Sequence, residues 1–297
     1  MRIRMIKLYY YVKSIRLFEI SVRMGAPLIA LLLTLPELSE VNGIRIIHAL
    51  GAFFFLWTHL YTFNAWAGYS FDKHDPSKRV TPLLSGKVTP REMSLLSIVF
   101  ALICIILYAV LDIRLLIIVF PDILIGILYA HPKILLKSVP FASFAILFIV
   151  SVLDFLLGWL IFSPSLHRGL LIGIYFGILG IVGQHYHEAG DYDSDKRVGI
   201  KTNAVRYGKT KIFILGFIFY TLACIYFLLL TFSKILPGLL YLTLLITYPL
   251  YVFLYSKQLR SNLTSSDIRR FIKKYRMLYG LIGCTMILLL LFFYLGS

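Results

Sequence analysis

Two short segments hold six of the fourteen acidic residues in this 297-residue chain. The first runs from Asn64 to Pro90 (NAWAGYSFDKHDPSKRVTPLLSGKVTP), the second from His187 to Lys209 (HEAGDYDSDKRVGIKTNAVRYGK). Asn64 and Asp72 stand about two helical turns apart, so a continued helix puts them on one face, with Asp75 about one turn beyond. Asp191 and Asp195 are spaced i and i+4, which aligns them on a helix in the same way. Carboxylates stacked at such spacing repel unless a cation sits between them. Hard oxygen ligands of this kind suit magnesium, which keeps several waters and is usually shared with substrate phosphates. The alternative is that these are solvated loop charges that cap helices or pair with neighbouring lysines.

What must position these residues is membrane-embedded. Hydrophobic residues make up 59% of the chain and charged residues 15%, against about 25% charged in soluble domains. Apolar stretches of bilayer-crossing length recur at 17–36, 44–65, 94–112, 114–130, 140–163, 168–186, 211–232, 236–256 and 277–296. The third and fourth are divided only by the polar step at Asp112, so eight spans result if they fuse. The positive charge decides for nine. With nine spans, twenty-six of the thirty Lys and Arg residues fall on one side, leaving only Arg45, Arg114, Arg168 and Lys234 on the other. Basic loops stay cytoplasmic, so the expected topology in the cell membrane has the N-terminus inside and the C-terminus outside. Both acidic segments then begin at the cytoplasmic ends of helices.

The net charge of +16 is therefore a feature of one membrane face that attracts anionic headgroups. No basic-aromatic nucleic-acid module is visible. The basic start, MRIRMIKLYYYVKSIR, reads as leading into a retained first helix. Cys104, Cys224 and Cys284 lie in apolar runs without paired spacing, which suits packing better than a disulfide or metal site. His185 and His187, two apart, point to different faces of a helix and do not favour a shared zinc. Glu188 reads as a support for the magnesium shell or the acceptor. Asp122 and Asp154 read as buried polar contacts between helices or as cavity-lining groups, the first slightly favoured. His48 and His59 read as packed polar residues. The stretch 256–276 reads as a basic amphipathic helix on the membrane surface, capped near Ser266–Asp267.

The two acidic segments resemble the paired aspartate motifs of the UbiA superfamily of intramembrane prenyltransferases. That family's first motif, NxxxDxxxD, is matched at its outer positions by Asn64 and Asp72. Thr81 to Thr89 (TPLLSGKVT) follows where the family has RPLxSGxxT. The second motif, DxxxD followed by a basic stretch and GxxT, is matched by Asp191, Asp195, Gly199 and Thr202. Tyr129 and Lys133 fit the intervening YxxxK, and Arg16 takes the place of a basic residue opening the first helix. Two positions depart: Gly68 stands where the first motif has its middle aspartate, and Thr81 where the arginine of RPL would be, with Arg79 two residues earlier.

The resemblance covers nearly the whole chain. It implies a single domain over 1–297: an all-α bundle of nine transmembrane helices around a central cavity, with cytoplasmic cap loops. It also implies a prenyl diphosphate donor, a lipid-soluble or aromatic acceptor, and Mg2+ held by Asn64, Asp72, Asp191 and Asp195. Asp72, Asp191, Asp195, Tyr129 and Lys133 are the implied catalytic residues. Arg16, Asn64, Arg79, Lys133, Lys137, Arg197 and Lys201 are the implied substrate contacts. Two other readings stay open at this level, acceptor-free cyclisation on the same fold and a non-catalytic isoprenoid-lipid-binding protein or transporter.

Overall fold

A computed structural model describes residues 2–35, 43–73 and 81–296. Its α-helices, in chain order, are α1 (Arg2–Ser14), α2 (Leu17–Arg23), α3 (Gly25–Thr34), α4 (Gly43–Ala67), α5 (Tyr69–Asp72), α6 (Pro90–Leu111), α7 (Leu116–Ala130), α8 (Ala142–Trp159), α9 (Leu166–Arg197), α10 (Asn203–Tyr207), α11 (Lys209–Phe232), α12 (Tyr241–Leu259) and α13 (Ser265–Gly296). Among the described residues no β-strand occurs, and nine helical stretches are long and apolar enough to cross a membrane. The third and fourth spans are separate, as the charge distribution requires. Asp112 ends α6 in an extended conformation and its carboxylate takes up the guanidinium and N–H of Arg114.

Two boundaries differ from expectation. The first span is assembled from α1, α2 and α3, broken at Ile15–Arg16, and its apolar stretch begins at Ile6. The basic stretch before the last span is no separate surface helix: from Ser265 onward it is continuous with α13. Thr264 and Asp267 make the reciprocal bonds of a capping box, each side chain accepting from the other's backbone N–H. The basic residues after that start are simply the first turns of a 32-residue helix.

The contacts group the chain into two compact units, Met1–Met24 with Ile44–Lys137, and Gly25–Gly43 with Ser138–Ser297. In the first, α6 shows an outward row of Ile98, Leu102, Ile106 and Val110, each more than half exposed. That row at i, i+4, i+8 and i+12 would be a large liability in water and is ordinary against lipid tails. The inner side of this unit packs the end of the first acidic segment and the start of α6. Leu83, Val88 and Met93 are buried and meet Tyr10 and Tyr11 of α1, Ala65 and Trp66 of α4, and Tyr69 of α5. Thr89 caps α6 in a capping box with Glu92, and Glu92 also accepts from Tyr11 (3.0 Å) and pairs with Lys7 (2.7 Å). Helix α1 is thereby latched to the base of α6.

In the second unit α8 and α9 approach closely. A Cβ on Gly180 would lie 2.3 Å from Ser151 Oγ and 2.5 Å from the Leu147 carbonyl, and Gly173 and Gly177 on the same face meet Val152 and Phe148. Without a hydrophobic drive between helices in lipid, small residues that let backbones approach supply the packing. On its other side α9 meets an aromatic core from α11, α12 and α13. Tyr186 touches Phe213, Phe271 and Tyr275, and its hydroxyl bonds that of Tyr251. The helix so fixed has 32 residues, about 48 Å. The hydrocarbon layer is about 30 Å thick, so α9 carries its last turns, and the second acidic segment, past the membrane core.

Candidate active site

Asn64, Gly68 and Asp72 lie on one helical face although the helix is interrupted between α4 and α5. The Gly68 N–H bonds the Asn64 carbonyl (2.9 Å) and the Asp72 N–H bonds the Gly68 carbonyl (2.8 Å), both i to i−4. The Asp72 carboxylate folds back over Gly68: a Cβ built there would be 3.3 Å from Asp72 Oδ2 and 3.0 Å from the Asn64 carbonyl oxygen. The missing side chain thus leaves the space that Asp72 uses. Arg16, just before α2, sets its guanidinium 5.6 Å from the ring centre of Tyr61, one turn before Asn64. Lys137 reaches to 5.9 Å from the Phe71 ring, next to Asp72. Tyr129 lies in the last turn of α7, and Lys133 stands exposed in the turn that follows. Thr81 serves the backbone here: its hydroxyl accepts the Leu84 N–H at 3.4 Å and shapes the turn of the TPLLSGKVT loop. Asp75 and Arg79 lie outside the described residues.

The second half is built on the end of α9. Asp191 and Asp195 share its face as the spacing requires, and both are part-exposed. Asp191 Oδ1 is 3.3 Å from Arg269 of α13, whose Nε also donates to the Gly190 carbonyl at 3.2 Å. Asp193, on a different face, accepts from Ser265. After Arg197 the chain turns at Gly199, where φ is +74°, a left-handed conformation that glycine adopts without strain. This reversal brings Thr202 back to Asp195, Oγ1 to Oδ2 at 3.3 Å. The GxxT pattern therefore has a local mechanical meaning. Arg197 and Lys201 stand exposed around this turn.

Three expectations are corrected or given detail. Glu188 is buried rather than presented beside Asp191 and Asp195, so any support it gives them is indirect. It is 3% exposed and accepts from Ser143, Gln184, Asn203 and the Ala204 N–H. A carboxylate with its lone pairs so occupied is a structural anchor. His185 bonds the Ile181 carbonyl at 2.8 Å and stacks on Phe144, whereas His187 meets Arg276. His59 is held by Ser97 at 2.9 Å, and Asp122 and Asp154 are buried. Arg269 and the distant partners of Glu188, Ser143, Asn203 and Ala204, were not singled out by sequence, because their contacts span 15 to 79 residues of chain and leave no local pattern. A cavity of about 520 Å³ lined by Leu33, Arg168, Lys234 and Leu290 touches the opposite end of α9 and takes no part in this site.

The UbiA prenyltransferase family model matches residues 25–282. Curated proteins yield no sequence match. Among solved structures, a UbiA homolog from Archaeoglobus fulgidus bound to GPP and Mg2+ is similar with a TM-score of 0.72 and 17% identity, over 94% of this chain and 99% of that one. The apo structure of a UbiA homolog from Aeropyrum pernix K1 gives a TM-score of 0.72 and 16% identity, over 92% and 98%. A structure of digeranylgeranylglyceryl phosphate synthase gives 0.69 and 20%, over 95% and 98%. At such identities these likenesses speak for the fold. The family match, which takes in both acidic segments and the turns that hold them, settles membership: this chain belongs to the UbiA prenyltransferase family and is a membrane prenyltransferase.

Proposed function

We propose that the protein transfers a prenyl group from a prenyl diphosphate to a lipid-soluble or aromatic acceptor within the membrane, using Mg2+, with residues 1–297 acting as one functional unit. The observation that carries this reading is the alignment of Asp191 and Asp195 on the projecting end of α9, matched by Asn64 and Asp72 on the face of α4 and α5. Support for the donor and the metal comes from the Archaeoglobus fulgidus homolog bound to GPP and Mg2+.

The residues fit the ion. Asn64, Asp72, Asp191 and Asp195 offer only hard oxygen ligands. Among the described residues no group of three or more His, Cys, Asp or Glu side chains holds an ion by itself. Water and phosphate oxygens would complete the shell, which is the coordination magnesium prefers. When bound, Mg2+ supplies neutralisation of charge on the diphosphate leaving group. Lys133, Lys137, Arg79, Arg197 and Lys201 add cationic contacts to the phosphate oxygens, and Arg16 closes the same end of the first unit. The C–O bond of the donor breaks with its electron pair leaving on diphosphate. The acceptor's electron pair forms the new bond to the allylic carbon, and the acceptor's proton passes to a carboxylate, for which Asp72 is the candidate. Tyr129 orients the diphosphate together with Lys133. Apolar helix surfaces exclude water from the allylic cation, which water would otherwise capture. The basic residues gathered near both acidic segments support a reaction on the cytoplasmic side, with the N-terminus inside and the C-terminus outside.

The test uses the full chain in lipid with Mg2+ and prenyl diphosphates of several lengths. Diphosphate release that requires an added acceptor is expected, and Asp191→Asn should abolish it. Release at the same rate without acceptor would support cyclisation or hydrolysis in its place. Unchanged release from the Asp191→Asn protein would remove the assigned site.

A further inference from the structure

Glu188 begins a row on α9 that continues through Asp191 and Asp195, at i, i+3 and i+7, yet it alone of the three is buried. Its Oε1 receives the Ser143 hydroxyl, the Gln184 amide at 3.1 Å and the Asn203 amide at 3.3 Å, and Oε2 receives the Ala204 N–H at 3.3 Å. Each of these groups is neutral, and each donates. The orientation of Asn203 is fixed independently, because its Oδ1 accepts the Phe141 N–H at 2.9 Å, which turns its NH2 toward Ser143 and Glu188. Ser143 in turn accepts from Asn203 at 3.0 Å, so its own hydrogen goes to Glu188. The direction of every bond in the network is therefore set, and each one points at the Glu188 carboxyl.

What this anchor holds matters more than the anchor. Asn203 and Ala204 follow directly on Thr202, and all three are buried, at 0%, 0% and 5% exposure. Thr202 is the residue whose hydroxyl reaches Asp195. A continuous path thus runs from Glu188 through the backbone of 202–204 to the carboxylate of Asp195. We propose that Glu188 is a positioning residue, which clamps the returning segment 202–204 against α9 so that Thr202 holds the Asp195 carboxylate in the orientation that receives a divalent cation. The proposal rests on the reading of Asp195 as a metal ligand. It assigns Glu188 no contact with substrate or ion.

Two kinds of measurement on the full chain separate positioning from ordinary stabilisation. The first is amide hydrogen exchange of residues 200–206 in metal-free protein. The second is direct Mn2+ binding, by titration followed with paramagnetic resonance, in Glu188→Gln, Thr202→Val, Thr202→Ser, Asp195→Asn and the Glu188→Gln/Thr202→Val pair. Gln at 188 keeps the shape but points a donor at donors. It should speed exchange at Ala204 and weaken Mn2+ binding by about tenfold, within the range for lost partners of metal ligands. Thr202→Val should weaken Mn2+ binding to a similar degree, while Thr202→Ser keeps the hydroxyl and restores it. Since both singles break one path, the pair should cost no more than the larger single. Faster exchange in Glu188→Gln with parental Mn2+ affinity would overturn the proposal, as would additive losses in the pair. Should Glu188→Gln fail to fold, the Val and Ser variants at 202 decide: equal affinities in both would overturn it. Parental Mn2+ affinity in Asp195→Asn would instead sink the underlying assignment of Asp195, a result distinct from any of these.

Discussion

Replacing Gly68 by Asp adds a second carboxylate to the face of Asn64 and Asp72, and its cost can be worked from the geometry. The new Cβ would sit 3.0 Å from the Asn64 carbonyl oxygen and 3.3 Å from Asp72 Oδ2. The Asp72 side chain must therefore swing away by a few tenths of an ångström or more. Two carboxylates about 4 Å apart repel by about 1 kcal/mol in water and about 4 kcal/mol at an effective dielectric of 20. Asp72 is part-exposed, so the lower half of that range applies, about 1–2 kcal/mol, partly offset by the gain of up to about 1 kcal/mol from removing a helical glycine. Gly68→Asn isolates the charge, since it adds the same Cβ and nearly the same volume. In thermal unfolding with EDTA, the Asp variant should melt below the Asn variant by about 2–8 °C, at about 2–4 °C per kcal/mol. Saturating Mg2+ should close most of that gap, because a tenfold tighter ion adds about 1.4 kcal/mol of stabilisation to the Asp variant. If Mg2+ raises both variants equally, the face formed by Asn64, Gly68 and Asp72 does not hold the ion.

Two further outcomes follow from the packing and the charges. Gly158 lies against α3, where an added Cβ would be 2.4 Å from the Pro27 carbonyl oxygen and 2.7 Å from its Cα. Backbone cannot rotate aside, so Gly158→Ala should cost about 1–3 kcal/mol in thermal unfolding of the full chain, and a parental melting temperature would refute the close approach. The guanidinium and N–H of Arg114 hold the Asp112 carboxyl down at about 2, from an ordinary 3.8. A depressed carboxyl contributes stability above its unfolded pKa and loses it as pH falls through the folded one. The melting difference between parent and Asp112→Asn should be constant above about pH 4 and shrink between about pH 4 and 2. A difference that grows on acidification would contradict the pairing.

The spans were legible because lipid imposes a length, and the second reads 44–65 from sequence against Gly43–Ala67 in the structure. Asp191 and Asp195 were legible for the same kind of reason, since i and i+4 share a helix face wherever the helix sits. The extent of α13 was not. A basic amphipathic stretch has the same pattern whether it lies on the membrane or prolongs a crossing helix past it, and the unbroken run of α13 from Ser265 to Gly296 decides for the latter. Glu188 invited a role in the metal shell because it lies beside Asp191 in sequence. Its true partners Ser143 and Asn203 are 45 and 15 residues away, on α8 and α10. Arg269, which meets Asp191, belongs to a basic segment where no single residue stands out. The departure at Gly68 was visible, but not that Asp72 folds into the space it leaves.

Mg2+-dependent binding of the prenyl diphosphate is proposed to need both acidic segments. The most direct test is calorimetric titration of GPP into the full chain with Mg2+, and into Asp72→Asn, Asp191→Asn and the double variant. Each single substitution should remove most of the Mg2+-dependent affinity, and the double should lose little beyond either one. A normal affinity in one single variant, or losses that simply add, would mean that the two segments bind separately and that the assigned chemistry is wrong.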